Sequence, residues 1–187
     1  MAEDPQTAWT SVYCLRDYNP YRRSGEPNPA FTKSTDGRLL DLKDNTERGV
    51  TAAVEDFQRG LAALDLPAGT ILAVVPGHEA NNSNAARPLA RVVQALAALD
   101  RRFVPGIDTL IRTRTVQKKA GGGSRGIGVD LASISVRNSP NLKDATVVVL
   151  DDTVTTGGSL MAARQLIKKA GAKKIAAVAI GRTVKYS

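Results

Sequence analysis

Apolar positions recur along this chain with two different spacings, and the change from one to the other divides it. Within LDLKDNTERGVTAAVEDFQRGLAAL, residues Val50, Ala53, Val54, Phe57, Leu61 and Leu64 fall at i, i+3, i+4, i+7, i+11 and i+14. That is the one-faced spacing of an amphipathic helix, with Asn45 or Thr46 placed to cap it. From residue 70 short apolar runs alternate with helical stretches. ILAVV (71–75) predicts a buried strand, and ARPLARVVQALAAL predicts a helix with Pro88 in its first turn and Leu89, Val92, Val93 and Leu96 facing the core. IDTLI (107–111) predicts a strand, and LASISV (131–136), which alternates, predicts a half-exposed one. TVVVL (146–150) and IAAVAI (175–180) read as buried strands on either side of SLMAARQLIKKAG, a helix closed by Gly171. Residues 1–45 read as irregular, and QKKAGGGSRGIG (117–128) as a flexible, basic, glycine-rich segment. Strands separated by helices predict an α/β fold, an open parallel sheet flanked by helices.

With 187 residues the chain is long enough for one domain with a real core. We divide it into a hood with the N-terminal helix (1–65) and an α/β core (66–187) carrying a flexible loop (112–128). No apolar run has the length of a membrane span, and the polar, acidic start MAEDPQTAWTS does not read as a signal peptide, so the expected address is the cytoplasm. A single cysteine, Cys14, excludes an internal disulfide, and a single histidine, His78, leaves little for a transition-metal centre. The net charge of +8 favours anionic partners, whether phosphorylated metabolites or nucleic acid.

The stretch VVVLDDTVTTGGSL (147–160) narrows the choice. Asp151 and Asp152 follow a buried strand directly, although two adjacent carboxylates are costly to desolvate together. In open parallel sheets ligands sit beyond the carboxyl ends of the strands, where this pair is expected. A helix starting near Ser159 offers backbone N–H groups, and Thr155, Thr156 and Ser159 add hydroxyls. Gly157 and Gly158 let the backbone approach closely. Acceptors at one end and anion donors at the other complement a ribose 5-phosphate.

VVVLDDTVTTGGS resembles the phosphoribosyl-diphosphate (PRPP) signature of type I phosphoribosyltransferases: four apolar residues, two acids, then a threonine and glycine loop. The resemblance implies that family's fold, with Asp151 and Asp152 as catalytic residues holding the ribose hydroxyls directly or through Mg²⁺. Thr153 and residues 155–159 would bind the rest of PRPP, the 5-phosphate above all. LAVVPGHEANNSNAARPLA places Pro76, Gly77 and His78 where the family has its pyrophosphate loop, although His78 reads equally well as a turn residue. LIRTRTVQKKAGGGSRGIGVDLASISV, with Arg112, Arg114, Gln117 and Arg125, is similar to the catalytic-loop region of the ComF-like subgroup, as is LLDLKDN to its leucine–lysine stretch. The zinc-binding cysteines often found in that subgroup are absent, so no role that depends on them carries over.

The implied activity transfers ribose 5-phosphate from PRPP to a nitrogenous acceptor and releases pyrophosphate. Charge builds on the leaving group and water must be excluded, which suits a mobile basic lid. Arg112 and Arg114 are expected to bind PRPP, and Lys118, Lys119 and Arg125 to act in catalysis. Relatives that use 6-oxopurines carry an aspartate where this chain has Thr155, which argues against hypoxanthine or guanine and leaves adenine, orotate, uracil-like bases and other amines open. Trp9, Tyr13, Tyr18, Tyr21 and Phe31 read either as a stacking surface for a base or as a small core. A non-catalytic PRPP or nucleotide sensor is the second reading. Nucleic-acid handling comes last, because the basic residues are spread along the chain, and a homodimer stays open. Gly121, Gly123 and Gly126 spell GxGxxG, but no clear strand precedes them and no helical pattern follows, so the dinucleotide reading is set aside.

Overall fold

A computed structural model describes residues 4–81, 83–117, 126–137 and 142–184. A short 3-10 turn (Pro5–Trp9) leads into β1 (Tyr13–Tyr18), followed by a small hairpin of β2 (Arg22–Arg23) and β3 (Glu26–Pro27). Helices α1 (Gly37–Lys43) and α2 (Glu47–Ala62) are separated by Asn45 at φ 56°. Of the two candidate caps it is Thr46 whose Oγ1 accepts from Gly49 N at 3.1 Å. Gly49 sits where α2 meets α1, and a Cβ there would lie 2.2 Å from the backbone of Asp41 and Leu42.

The remainder runs β4 (Thr70–Val74), α3 (Pro88–Leu99), β5 (Phe103–Gly106), β6 (Leu110–Arg112), α4 (Ile127–Ser133), β7 (Ile134–Val136), β8 (Thr146–Val154), α5 (Gly158–Lys169) and β9 (Lys174–Thr183). Five strands form one sheet in the order β1-β9-β8-β4-β5, parallel throughout, as the alternation of elements predicts. The runs are continuous rather than alternating because both faces are covered. Leu72, Val74, Val148 and Leu150 pack beneath α1, α2 and α3, with Leu39, Phe57 and Val92 among them. Ile71, Ala73, Val147 and Val149 pack on the opposite face with Leu160, Ala163 and Ile167 of α5. Each fully buried aliphatic or aromatic side chain in these layers contributes about 1.5–3 kcal/mol.

The crossover from β4 through α3 steps to β5 in one direction, whereas β8 through α5 steps to β9 in the other. The two helices lie on opposite faces, so the chains leaving the ends of β4 and β8 diverge and open a crevice between them. Everything that follows happens there.

Several expectations change. The first 45 residues are not irregular: YCLRDY is an edge strand of the main sheet, paired with β9 from Tyr13↔Val178 to Tyr18↔Thr183. Its Arg16 and Asp17 break the apolar run that marks the other strands. FVPG forms β5, unexpected with Pro105 in it but allowed at the opposite edge, where a lost N–H costs no ladder bond. The strand expected at 107–111 is β6 at 110–112, and in LASISV only residues 134–136 are extended, pairing antiparallel with β6 in a separate ribbon. The first half of LASISV ends α4, so a helix does begin right after Gly126; Gly121 and Gly123 lie outside the described residues. Its inward residues are Asp130 and Ser133, so no hydrophobic period betrays it.

Candidate active site

The ladder between β4 and β8 ends where Val75 N donates to Leu150 O at 3.0 Å. Immediately beyond it Pro76–His78 and Asp151–Asp152 stand side by side at the carboxyl end of the sheet. β8 does not stop before the acids. It continues to Val154, with Asp151 opposite Ala179 and Thr153 opposite Gly181, so the pair is held by a strand rather than by a turn.

Successive strand residues start toward opposite faces, yet the two side chains still interact, since Asp152 is among the groups that raise the Asp151 carboxyl. Asp152 faces α1: its Oδ2 lies 3.9 Å from Lys43 Nζ, and Lys43 also reaches Thr153 Oγ1 at 3.4 Å and stacks over the Tyr18 ring. Burial, then the charges of Asp152 and Asp36, push the Tyr18 hydroxyl above its ordinary pKa. Asp152 Oδ1 accepts from Thr153 N at 2.6 Å, and Asp151 Oδ1 from Asp152 N at 2.9 Å. Asp151 makes no ion pair among the described residues, and burial together with the neighbouring Asp152 charge holds its carboxyl well above the usual range. The Asp152 N–H and the more distant Arg87 pull the other way without compensating. Here a carboxylate is kept short of a positive partner.

On the far side of the acids Thr155 and Thr156 are exposed, and Thr155 Oγ1 contacts Thr183 Oγ1 at 3.3 Å. Gly157 takes φ 78°, which a side chain would strain, and turns the chain into α5. The first N–H groups of this 12-residue helix face the crevice end with no intrahelical acceptor. Ser159 Oγ donates to Asp130 Oδ2 at 2.8 Å, which turns its hydroxyl proton toward α4.

A model of the phosphoribosyl transferase domain matches residues 85–183, more than half of the chain. The chain belongs to that family. As a phosphoribosyltransferase it is a PRPP-dependent pentosyltransferase that transfers a phosphoribosyl group. It is similar to the hypoxanthine phosphoribosyltransferase of Trypanosoma cruzi, 14% identical, with a TM-score of 0.35 and 84% of this chain and 75% of that chain covered. It is also similar to the adenine phosphoribosyltransferase of Leishmania donovani, 16% identical, with a TM-score of 0.43 and coverage of 95% and 79%. Comparison with curated proteins finds no match. Among the described residues no helix is long and apolar enough to cross a membrane.

In this phosphoribosyltransferase the expected site residues separate into groups. Asp151, Asp152, Thr153, Thr155, Thr156, Gly157, Gly158, Pro76, Gly77 and His78 converge on the crevice. His78 is half-buried with Nε2 3.7 Å from Glu79 Oε1. Arg114 is exposed on the segment leaving β6, while Lys118, Lys119 and Arg125 lie outside the described residues. The start of the loop is tied down, since Val116 N donates to His78 O at 2.8 Å and Ala80 N to Thr115 Oγ1 at 3.0 Å. Arg112 is the correction. It is 1% exposed and lies behind the crevice, donating through Nε to Gly77 O at 2.7 Å and pairing with Asp130 at 2.9 Å, so it does not reach a ligand. A cation inside the core is held by buried partners, which a basic stretch in sequence does not reveal.

The aromatic candidates scatter as well. Trp9 lies beside Lys174 at the opposite end of β9, and Tyr13 packs against the core, so neither overlooks the acids. Tyr21 and Phe31, edge to face at 5.2 Å, lie in the segment that follows the end of β1, where Asp36 ties the backbone N–H groups of Asn19 and Thr32 together.

Three residues of the site were not anticipated. Lys43 was visible only as part of LLDLKDN. Arg87 places its guanidinium where a Gly77 Cβ would stand, 1.6 Å from Nη1, and its one sequence signal is the following Pro88, which fixes a helix start. Asp130 was hidden by the alternating look of LASISV.

Proposed function

We propose that this phosphoribosyltransferase transfers ribose 5-phosphate from PRPP to a nitrogenous acceptor other than a 6-oxopurine. The acceptor nitrogen bonds to C1 of the ribose, the C1–O bond to the diphosphate breaks, the electron pair leaves with pyrophosphate, and the acceptor gives up its proton to solvent. The observation that carries the reading is the juxtaposition at the end of the β4–β8 ladder: an acidic pair flanked by an α5 N-terminus on one side and the Pro76–His78 turn on the other. The ribose hydroxyls face Asp151 and Asp152, and the 5-phosphate takes the N–H groups at the start of α5 with the hydroxyls of Thr155 and Thr156. The diphosphate lies by Gly77 and His78, whose N–H groups donate to no described residue, with Arg87 beside them.

Two carboxylates, each with one oxygen not taken by the backbone, fit a Mg²⁺ that keeps most of its coordination for water and substrate phosphates; no cluster of three candidate ligands occurs among the described residues. Asp151 and Asp152 would hold that ion, which offsets charge on the diphosphate. The desolvated Asp151 gains most from such a cation. Of the segment 112–128, Arg112 belongs to β6 and Ile127 and Gly128 to α4, so the lid role falls to the residues between them, with Lys118, Lys119 and Arg125 as its cations; the ComF-like pattern of this segment supports that role. The segment from Asn19 to Asp36 supplies a hood over the acceptor, where Tyr21 is half exposed. Thr155 in place of an aspartate supports an acceptor without the N7 requirement of 6-oxopurines.

The test is PRPP titration with and without Mg²⁺, then pyrophosphate release over a panel of adenine, orotate, uracil and simple amines, beside Asp151→Asn with Asp152→Asn. Mg²⁺-assisted binding lost in the double variant, with turnover on one acceptor class, is expected. Unchanged affinity in the variant overturns the site, and tight binding without turnover on any acceptor makes the protein a sensor.

A further inference from the structure

Buried ion pairs seldom stabilise a fold more than apolar residues of the same volume, because two desolvation penalties offset the attraction. The pair Arg112–Asp130, 1% and 0% exposed, therefore calls for a reason other than stability. Its two ends supply one. Arg112 donates through Nε to Gly77 O at 2.7 Å and through an Nη to Pro76 O at 3.5 Å, so it grips the turn that leaves β4. Asp130 spends one oxygen on Arg112 and the other on Ser159 Oγ at 2.8 Å, so it grips the first turn of α5. Ser133 Oγ, accepting from Arg112 and donating to Val129 O at 2.6 Å, fixes the guanidinium from the side. The backbone of the same residues is tied in too, with Asn81 N donating to Arg112 O at 3.0 Å and Thr113 N to Ser133 O at 2.8 Å.

We infer that Arg112 and Asp130 are positioning residues, a buried strut that sets the spacing between the Pro76–Gly77 turn and the α5 N-terminus. A ligand with an anionic group at each end must satisfy both loops at once. The last β4–β8 ladder bond, from Val75 N to Leu150 O, fixes the roots of the two segments, but beyond it they diverge and the sheet does not set the separation of the Pro76–Gly77 turn from the start of α5. The strut does so without touching the ligand. It also keeps the field neutral: Asp130 alone would set an uncompensated carboxylate behind the anion cradle, and Arg112 cancels it.

The decisive variant replaces both partners by apolar residues, Arg112→Met with Asp130→Leu, which removes the strut without stranding a charge. Asp130→Asn is made beside it. Three quantities are read on the full chain: thermal unfolding, PRPP affinity, and ligand-free amide exchange at Val116 and Met161. Val116 donates to His78 O in one loop and Met161 to Gly157 O in the other. The expected result for the double variant is unfolding near the wild-type temperature, exchange about tenfold faster at both amides with α2 and the centre of β9 unchanged, and PRPP bound about tenfold more weakly. A folded double variant with wild-type exchange at both amides, or with wild-type PRPP affinity, overturns the proposal, as does acceleration at one loop only. If Asp130→Asn fails to fold, the apolar pair still decides. The affinity arm rests on the function proposed above and the exchange arm does not: wild-type protein that ignores PRPP, together with faster exchange at both amides in the double variant, refutes that function and supports the strut.

Discussion

Replacing Asp151 by Asn should make the protein more stable while destroying its function. Asp151 is half-buried next to Asp152, and its carboxyl is pushed above the ordinary range by burial first and by the Asp152 charge second. Asparagine keeps the oxygen that accepts from Asp152 N at 2.9 Å, so the local hydrogen bond survives the change. What disappears is the cost of holding a charge in a half-buried place beside Asp152, on the order of 1–3 kcal/mol. For a chain of this size that corresponds to a rise in Tm of roughly 2–4 °C per kcal/mol. The pH dependence gives the sharper check. A folded-state pKa above the unfolded value means that the native state holds the proton more tightly, so wild-type stability falls as pH rises from the unfolded pKa through the folded one. The stabilisation by Asp151→Asn should therefore be complete above the folded pKa and vanish below the unfolded one. Calorimetric unfolding of both proteins from pH 3 to pH 8, paired with PRPP titration at pH 7, reads both halves. A variant less stable than wild type at pH 7, or a difference that does not change with pH, would refute the electrostatic account.

Three further substitutions separate the site from its scaffold. Gly77→Ala needs no unusual backbone angle but forces the Arg87 guanidinium aside, so pyrophosphate should bind about fivefold more weakly, ~1 kcal/mol, with Tm almost unchanged; isothermal titration checks it. Thr46→Ala removes the α2 cap and should cost about 1 kcal/mol in denaturant unfolding with PRPP affinity intact. Gly49→Ala drives a Cβ against the backbone of Asp41 and Leu42, where no side chain can swing away, and should lower stability by about 1–3 kcal/mol or more in the same assay.

What the sequence disclosed follows from where hydrophobic burial is two-sided. β4, β8 and β9 are sealed on both faces and read as unbroken apolar runs, and α2, α3 and α5 each show one apolar stripe, so the α/β order and the position of the acidic pair were legible. β1 was not, because an edge strand carrying Arg16 and Asp17 lacks such a run. α4 was not, because it turns Asp130 and Ser133 inward in place of leucines. Within the candidate site, contiguous residues were readable: Asp151 to Gly158 share one strand, one turn and one helix start. Contributions from distant segments were not. Lys43 reaches Asp152 from the end of α1, Arg87 fills the space of a missing Cβ, and the charge of Arg112 points to a ligand although its guanidinium faces the core. A local pattern records what a residue is beside in the chain, whereas these three are defined by what the fold brings to them.

The pairing of β1 with β9 has a consequence for the order in which the molecule assembles. β1 finds its place only against β9, far along the chain, with Tyr13 opposite Val178 and Tyr18 opposite Thr183. On a ribosome β1 emerges well before β9 and must wait, unpaired, until β9 has been made. Loop closure on that scale slows folding, and an unpaired apolar edge invites partners from other chains meanwhile. The charges on Arg16 and Asp17, which obscure β1 as a strand, are of the kind that discourages such edge pairing while β9 is missing.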